Sequence, residues 1–247
     1  MRFALVPFFS LALASPILSK SAETFKPIYW LLAGDSTTAP NGGWGDAFLS
    51  TTVVPGSSGH NYGHGGASTA SFRAGGDWAN IISDIRSNKD EYDVFVTIQF
   101  GHNDQKNTSG VSLAQYKTNL ATFASEVNSA GGTPILVTPL TRRTFSGGKV
   151  IQNLEIERTA TIDVAKENCV KWIDLNLVST NYVNAIGQVA ADSYNWRSGD
   201  RTHLNAWGGI VFSRIVSDLI VEKYPKFIPF VSKNETLSAT IKAGEVA

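Results

Sequence analysis

Four short segments of the chain carry side chains able to do chemistry at spacings that matter. Gly34-Asp35-Ser36-Thr37 ends an apolar run with a hydroxyl. Alone it reads first as a strand-closing turn, because Gly, Asp and Ser all favour turns. Asn61 to Ser68 (NYGHGGAS) is rich in glycine. It reads as a surface loop, or as backbone able to approach a reacting atom with an N–H free to donate. Gly101-His102-Asn103-Asp104 directly follows another apolar run. Its Asn and Asp suit a helix cap, yet an asparagine amide at a strand's end is also a neutral donor for a developing oxyanion. Asp200-Arg201-Thr202-His203 places a carboxylate three residues before a histidine. One turn can bring that carboxylate to Nδ1 and leave Nε2 to take a proton.

Together the four supply a nucleophile, oxyanion donors, a base and its orienting carboxylate, a combination far more specific than any one segment. Other chemistries fit less well. His60 and His64 are spaced by four, but the glycines around them disfavour a helix and no third ligand is evident for a metal. The Gly-rich segment lacks the Gly-Lys-Ser/Thr and dinucleotide fingerprints of phosphate cradles, and the Gly-x-Ser-x-Gly elbow of α/β-hydrolases is absent. Cys169 is the single cysteine, so no intrachain disulfide can form. It reads as a small buried hydrophobe beside a strand.

The elements that must position these residues are legible as period. Ile28–Ala33, Asp93–Phe100, Pro134–Val137 and Val170–Asp174 read as strands, apolar and rich in β-branched residues. Leu113, Tyr116, Leu120, Phe123 and Val127 recur at helical spacing up to Gly131-Gly132. A polar-faced helix is expected over Asn153–Asn168. A last helix is expected over Ala206–Tyr224, with Trp207, Ile210, Val211, Ile215 and Leu219 on one stripe. Continuous apolar strands separated by helices predict an α/β fold, a parallel sheet covered on both faces. Its site should lie in the crevice at the strands' carboxyl ends, where Ser36 and the loops after Phe100 and Val137 meet.

The 247 residues suit one domain, over residues 25–230, and 21 basic against 21 acidic residues argue against a nucleic-acid or anionic-membrane partner. Residues 1–14 read as a secretory signal, with Arg2, an apolar stretch to Leu13 and a small-residue end at Ala14. The mature protein is expected to be secreted. Asn107 and Asn234 begin sequons for N-glycosylation, in keeping with export. Residues 231–247 read as a polar, loosely ordered tail. The segment Phe72–Trp78 carries no pattern with an assignable role.

The four segments, in this order from Gly34 to His203, resemble the GDSL/SGNH hydrolase superfamily, and within it the secreted fungal rhamnogalacturonan acetylesterases. The resemblance implies a three-layer α/β/α sandwich of flavodoxin-like type with a five-stranded parallel sheet. It implies Ser36 as nucleophile, His203 as base and Asp200 as its orienter. It further implies an oxyanion hole from the N–H groups of Ser36 and Gly66 and the Asn103 side chain. It implies an acetylated pectic polysaccharide as substrate, no metal or organic cofactor, and a monomer. The single cysteine departs from the fungal relatives, which carry disulfides. A GDSL lipase or short-chain esterase is the alternative, but no long apolar insertion suggests a lid. A carbohydrate-binding protein with a dead site should lack Ser36, Asn103 or His203, and all are present. Trp44, Trp78 and Trp196 lie near the site segments; each alone reads as core, although an exposed ring would suit a sugar.

Overall fold

The computed structural model describes Met1 and residues 26–247, so the expected signal segment lies outside the described residues. In chain order the elements are β1 (Ile28–Gly34), α1 (Gly45–Thr51), β2 (Ser58–Asn61), α2 (Thr69–Ala74), α3 (Asp77–Asn88), β3 (Asp93–Gln99) and α4 (Leu113–Ala130). There follow β4 (Thr133–Val137), a small hairpin of β5 (Phe145–Ser146) and β6 (Lys149–Val150), α5 (Glu155–Glu167), β7 (Lys171–Ile173), α6 (Leu175–Asp192), α7 (Ala206–Lys223) and α8 (Glu235–Ala243).

Five strands pair in parallel in the order β2-β1-β3-β4-β7, the flavodoxin-like arrangement expected from the resemblance. Alternation sorts each strand's side chains to opposite faces, and both faces are covered. Trp30, Leu32, Phe95, Ile135 and Ile173 join one core with Phe48, Val183, Phe212 and Ile215 from the helices. Leu31, Ala33, Val94, Val96 and Leu136 join the other with Ile81, Ile85, Leu120 and Phe123. The chain leaves β1 toward β2 on one side, while β3 lies on the other. The carboxyl ends of β1 and β3 therefore flank the point where connections diverge and a crevice opens.

All four expected strands form, within a residue or two of their predicted ends. The fifth, β2, was not foreseen: its sequence SGHN is polar because it is an edge strand with alternating half-buried positions. The expected helices form as α4, α5 and α7. Their stripes shift at the ends, where Leu113 and Trp207 open α4 and α7 and remain exposed. The buried face of α7 is instead Val211, Phe212, Ile215, Val216 and Ile220.

Three expectations are corrected. The tail is not loosely ordered: α8 packs on α7, burying Leu237 and Ile241, and Asn234 caps it by accepting from the Leu237 N–H at 3.1 Å. The spacing of four between those two apolar residues is the helical signal within a polar segment. Cys169 is exposed, not buried. It occupies the left-handed position that ends α5 (φ 52°), where Cys169 N–H donates to Lys166 and Val170 N–H reaches back to Ala165. Phe72–Trp78 proves structural: Phe72 and Trp78 are core, and Arg73 and the Trp78 indole both bond Glu126.

Since α8 completes the core beside α7, Ile241→Ala is expected to lower unfolding free energy by about 2 kcal/mol or more, within the range for a buried Ile truncation. Urea denaturation followed by circular dichroism would read the shift. A change near zero would return residues 231–247 to a dispensable tail.

Candidate active site

The turn after β1 is held from three sides. Asp35 is fully buried and its Oδ1 accepts from the Thr37 N–H and Thr37 hydroxyl, each at 2.8 Å. Gln99, at the end of β3, donates through Nε2 to the Thr37 hydroxyl at 2.5 Å and accepts the Trp44 indole N–H at 2.9 Å. A Cβ at Gly43 would collide with the Thr37 and Thr38 backbone, and one at Gly63 with Ala39, so both glycines permit close approach to this turn. Within residues 31–39 Ser36 alone is not buried.

Ser36 Oγ lies 2.8 Å from His203 Nε2. His203 Nδ1 lies 2.9 Å from Asp200 Oδ2, and Asp200 Oδ1 also accepts the backbone N–H groups of Thr202 and His203. Burial works against ionisation of Asp200, but bonds from the His203 N–H, its ring and the Thr202 N–H hold the carboxyl below its ordinary range. Asp200 therefore stays a carboxylate that fixes the ring with Nε2 facing the hydroxyl.

The Gly-rich segment runs from β2 past this turn. Asn61 closes it by accepting from the Gly63 N–H and donating to the Thr38 carbonyl, and the His64 N–H donates to the Gly34 carbonyl. Gly66 has φ 80°, and a Cβ there would meet nothing, so conformation and not space calls for glycine. Among the described residues neither the Ser36 N–H nor the Gly66 N–H has an intrachain acceptor. Asn103 is buried; its Nδ2 donates to the Ala67 carbonyl at 2.9 Å and its Oδ1 accepts from Lys106. That leaves the second amide hydrogen beside the same loop. A cavity of about 230 Å³ opens over the site, with Ser36, Gly65, Trp196, Asp200 and His203 in its wall.

Two features escaped the sequence reading. One is a buried layer beneath Ser36, where His102 Nδ1 stands 3.3 Å from Asp35 Oδ2 and Asp104 accepts the Thr69 N–H and hydroxyl. Burial would raise Asp35, but the charge and bonding of His102 and the bonds from Thr37 lower it overall. Burial raises Asp104. The motifs Gly-Asp-Ser and Gly-His-Asn-Asp contained these residues, but nothing in spacing shows that they pair. The other feature is Arg143, fully buried, which donates to the His203 carbonyl at 2.6 Å and to Asn195 Oδ1 at 2.8 Å. Burial drives its pKa down to about 10 against the pull of Asp200 and Asp192.

Of the tryptophans near the site segments, Trp44 and Trp78 are core, whereas Trp196 is exposed in the cavity wall. His60 packs at a tilt against Tyr62 and His64 bonds Asp77. Among the described residues no group of three or more His, Cys, Asp or Glu could hold a metal ion. Asn107 and Asn234 are both exposed.

A five-stranded parallel α/β/α sandwich with a Ser–His–Asp array at the carboxyl ends of its strands defines an SGNH-type hydrolase fold and site. Residues 32–209 match the GDSL-like lipase/acylhydrolase family, and the chain belongs to it. It is 31% identical over 220 residues to rhamnogalacturonan acetylesterase RhgT of Bacillus subtilis, covering 80% of this chain and 91% of that protein. It is 27% identical to the probable rhamnogalacturonan acetylesterase YesY of the same bacterium, over 77% of this chain and 91% of the relative. Both relatives are bacterial, whereas the sequence resemblance pointed to fungal enzymes. The fold is shared with the crystal structure of B. subtilis protein YxiM (TM-score 0.68, 24% identity, 81% of this chain), of which this chain spans 57%. It is also shared with Axe2, an acetylxylan esterase of Geobacillus stearothermophilus (TM-score 0.55, 18% identity, 81% of this chain and 94% of that one).

Two outcomes test this architecture. Arg143→Met strands the His203 carbonyl and Asn195, and is expected to cost at least about 1.5–3 kcal/mol, the range for one hydrogen bond to a charged group. It should also slow labelling of Ser36 by a phosphonate; unchanged stability and labelling would remove Arg143 from the support of this loop. Asp35 has a folded pKa below its unfolded value of about 3.9, so its contribution is present above that pH and is lost as pH falls through the folded pKa. Asp35→Asn should therefore be less stable than wild type at neutral pH, with the gap closing below about pH 4. A pH-independent gap in urea titrations would contradict the assignment.

Proposed function

We propose that the chain is a secreted carbohydrate acetylesterase that removes O-acetyl groups from rhamnogalacturonan through an acetyl-serine intermediate. The observation that carries the chemistry is the 2.8 Å approach of His203 Nε2 to Ser36 Oγ, with Asp200 at 2.9 Å on the other ring nitrogen. The substrate class rests on the two Bacillus relatives named rhamnogalacturonan acetylesterases. Export rests on the N-terminal signal pattern, with a monomer acting outside the cell on polysaccharide and not on nucleic acid or membrane.

In the first half-reaction Ser36 Oγ attacks the acetyl carbonyl carbon as His203 Nε2 takes the hydroxyl proton. Charge develops on the carbonyl oxygen, toward which the N–H groups of Ser36 and Gly66 and the Asn103 amide donate. Collapse breaks the bond to the sugar oxygen, which takes the proton from His203 and leaves as the free hydroxyl. Water then gives its proton to His203 and attacks the acetyl-enzyme, and Ser36 is restored as acetate departs. Asp200 holds the imidazolium in both halves without accepting its proton. No step calls on a metal or organic cofactor.

A short acyl group suits the site better than a long one. An apolar groove of about 810 Å³ lies among α6, α7 and α8 and includes none of Ser36, Asp200 or His203. A lipase reading would need apolar surface leading away from Ser36.

Acetate release from acetylated rhamnogalacturonan is the direct measurement. Ser36→Ala should abolish it, and Asn103→Ala should lower kcat roughly 100- to 1000-fold, the usual effect of deleting one oxyanion donor. Near wild-type release by Ser36→Ala would sink the mechanism. Faster turnover of long-chain glycerides than of acetylated pectin would replace it with a lipase.

A further inference from the structure

The cavity over Ser36 has one wall that the acyl-transfer chemistry does not use. Trp196 and Arg197 line it beside Asp200 and His203, and Trp196 keeps 43% of its surface exposed. Large apolar rings left open to solvent in a cavity wall invite a partner with an apolar face. Trp207, also exposed, bonds its indole N–H to the Ala247 carbonyl, but among the described residues the Trp196 indole N–H has no acceptor. Arg73, Arg158, Arg201 and Arg214 each close an ion pair within the chain. Among the described residues the Arg197 guanidinium has none, although it faces the same cavity.

This wall is built into the catalytic loop. The Trp196 N–H donates to the His203 carbonyl at 2.9 Å, and the Asp200 N–H donates to the Arg197 carbonyl at 3.0 Å. Asn195, bound by Arg143, bridges to Leu204. A ligand held by Trp196 and Arg197 is thereby oriented against His203 and Ser36. Of the charged groups in the cavity wall, Asp200 is engaged by His203, which leaves Arg197 as the cation without a counter-ion. A planar guanidinium matches a carboxylate through two parallel hydrogen bonds.

We infer that Trp196 and Arg197 form a uronate subsite, the indole stacking on a sugar ring while the guanidinium binds that sugar's carboxylate. This rests on the deacetylation reading and deepens it: the acetylated unit, or the one beside it, carries an acid that neutral xylan lacks. Arg197 is a specificity residue and takes no part in the acyl transfer.

The test compares acetylated galacturonate-containing oligosaccharides as free acids, the same oligosaccharides methyl-esterified, and acetylated xylo-oligosaccharides. Wild type should prefer the free acid, chiefly through KM. In Arg197→Gln the ratio of kcat/KM for the free acid over the methyl ester should fall roughly 10- to 100-fold, as for loss of a charge-assisted bond. Trp196→Ala should weaken all sugar substrates relative to p-nitrophenyl acetate. An unchanged ratio in Arg197→Gln, or a wild type that turns over acetylxylan and the methyl ester as well as the free acid, overturns the subsite and leaves the esterase standing. A binding arm separates the two readings. Calorimetry of unacetylated galacturonate oligosaccharides with Ser36→Ala should give binding that Arg197→Gln removes. If that binding holds while wild type releases acetate from nothing, the esterase reading fails and the uronate site remains.

Discussion

A buried carboxylate sets the terms for the catalytic end of this molecule. Asp35 is wholly removed from water one residue before Ser36, where an unpaired charge would be strongly unfavourable. The surroundings are arranged to stabilise it: Thr37 supplies two hydrogen bonds to Oδ1, and His102 Nδ1 stands 3.3 Å from Oδ2. The Thr37 bonds to Asp35 fix the turn, which holds Ser36 in the cavity wall beside Ala39, Pro40 and Asn41. Asp104, the second buried carboxylate, ties the loop after β3 to Thr69 at the start of α2. The central strands β1 and β3 are mainly apolar, and a buried polar layer of Asp35, Gln99, His102 and Asp104 forms at their carboxyl ends.

Ser36 and His203 come from opposite ends of the chain and are held by different means. The Ser36 turn is anchored by β3 through Gln99. The His203 loop is anchored by Arg143, which reaches its backbone carbonyl and leaves the imidazole to Asp200. A cation bound to main-chain oxygen positions the loop without competing for the Asp200 carboxylate that holds the His203 ring. The N-cap of α7 follows immediately, with Asn205 accepting the Gly208 N–H at 2.8 Å, so His203 stands at the start of a well-packed helix.

The tryptophans show how place in the fold decides the use of one residue type. Trp44 lies near Ser36 in sequence, yet its ring is core and its N–H is engaged by Gln99. Trp196 is remote in sequence from Ser36, and the loop carrying His203 brings it to the cavity wall.

The sequence by itself determined the α/β class and four of the five strands, and it marked Ser36, Asp200, His203, Asn103 and the Gly-rich segment as candidates, of which the structure brings Ser36, His203 and Asp200 into contact. It could do so because apolar runs report strands through period, and because a triad uses residue types with few substitutes. Local patterns could not show β2, whose edge position lets it be polar, or α8, whose two buried residues are lost in a polar tail. Tertiary structure alone decided that Asp35 faces His102, that Arg143 carries the His203 loop, and that Cys169 ends a helix in the open. These are pairings across tens of residues or backbone states set by the surrounding chain. Charge burial and hydrogen-bond satisfaction become definite only once the sheet has closed and each polar group has a fixed set of neighbours.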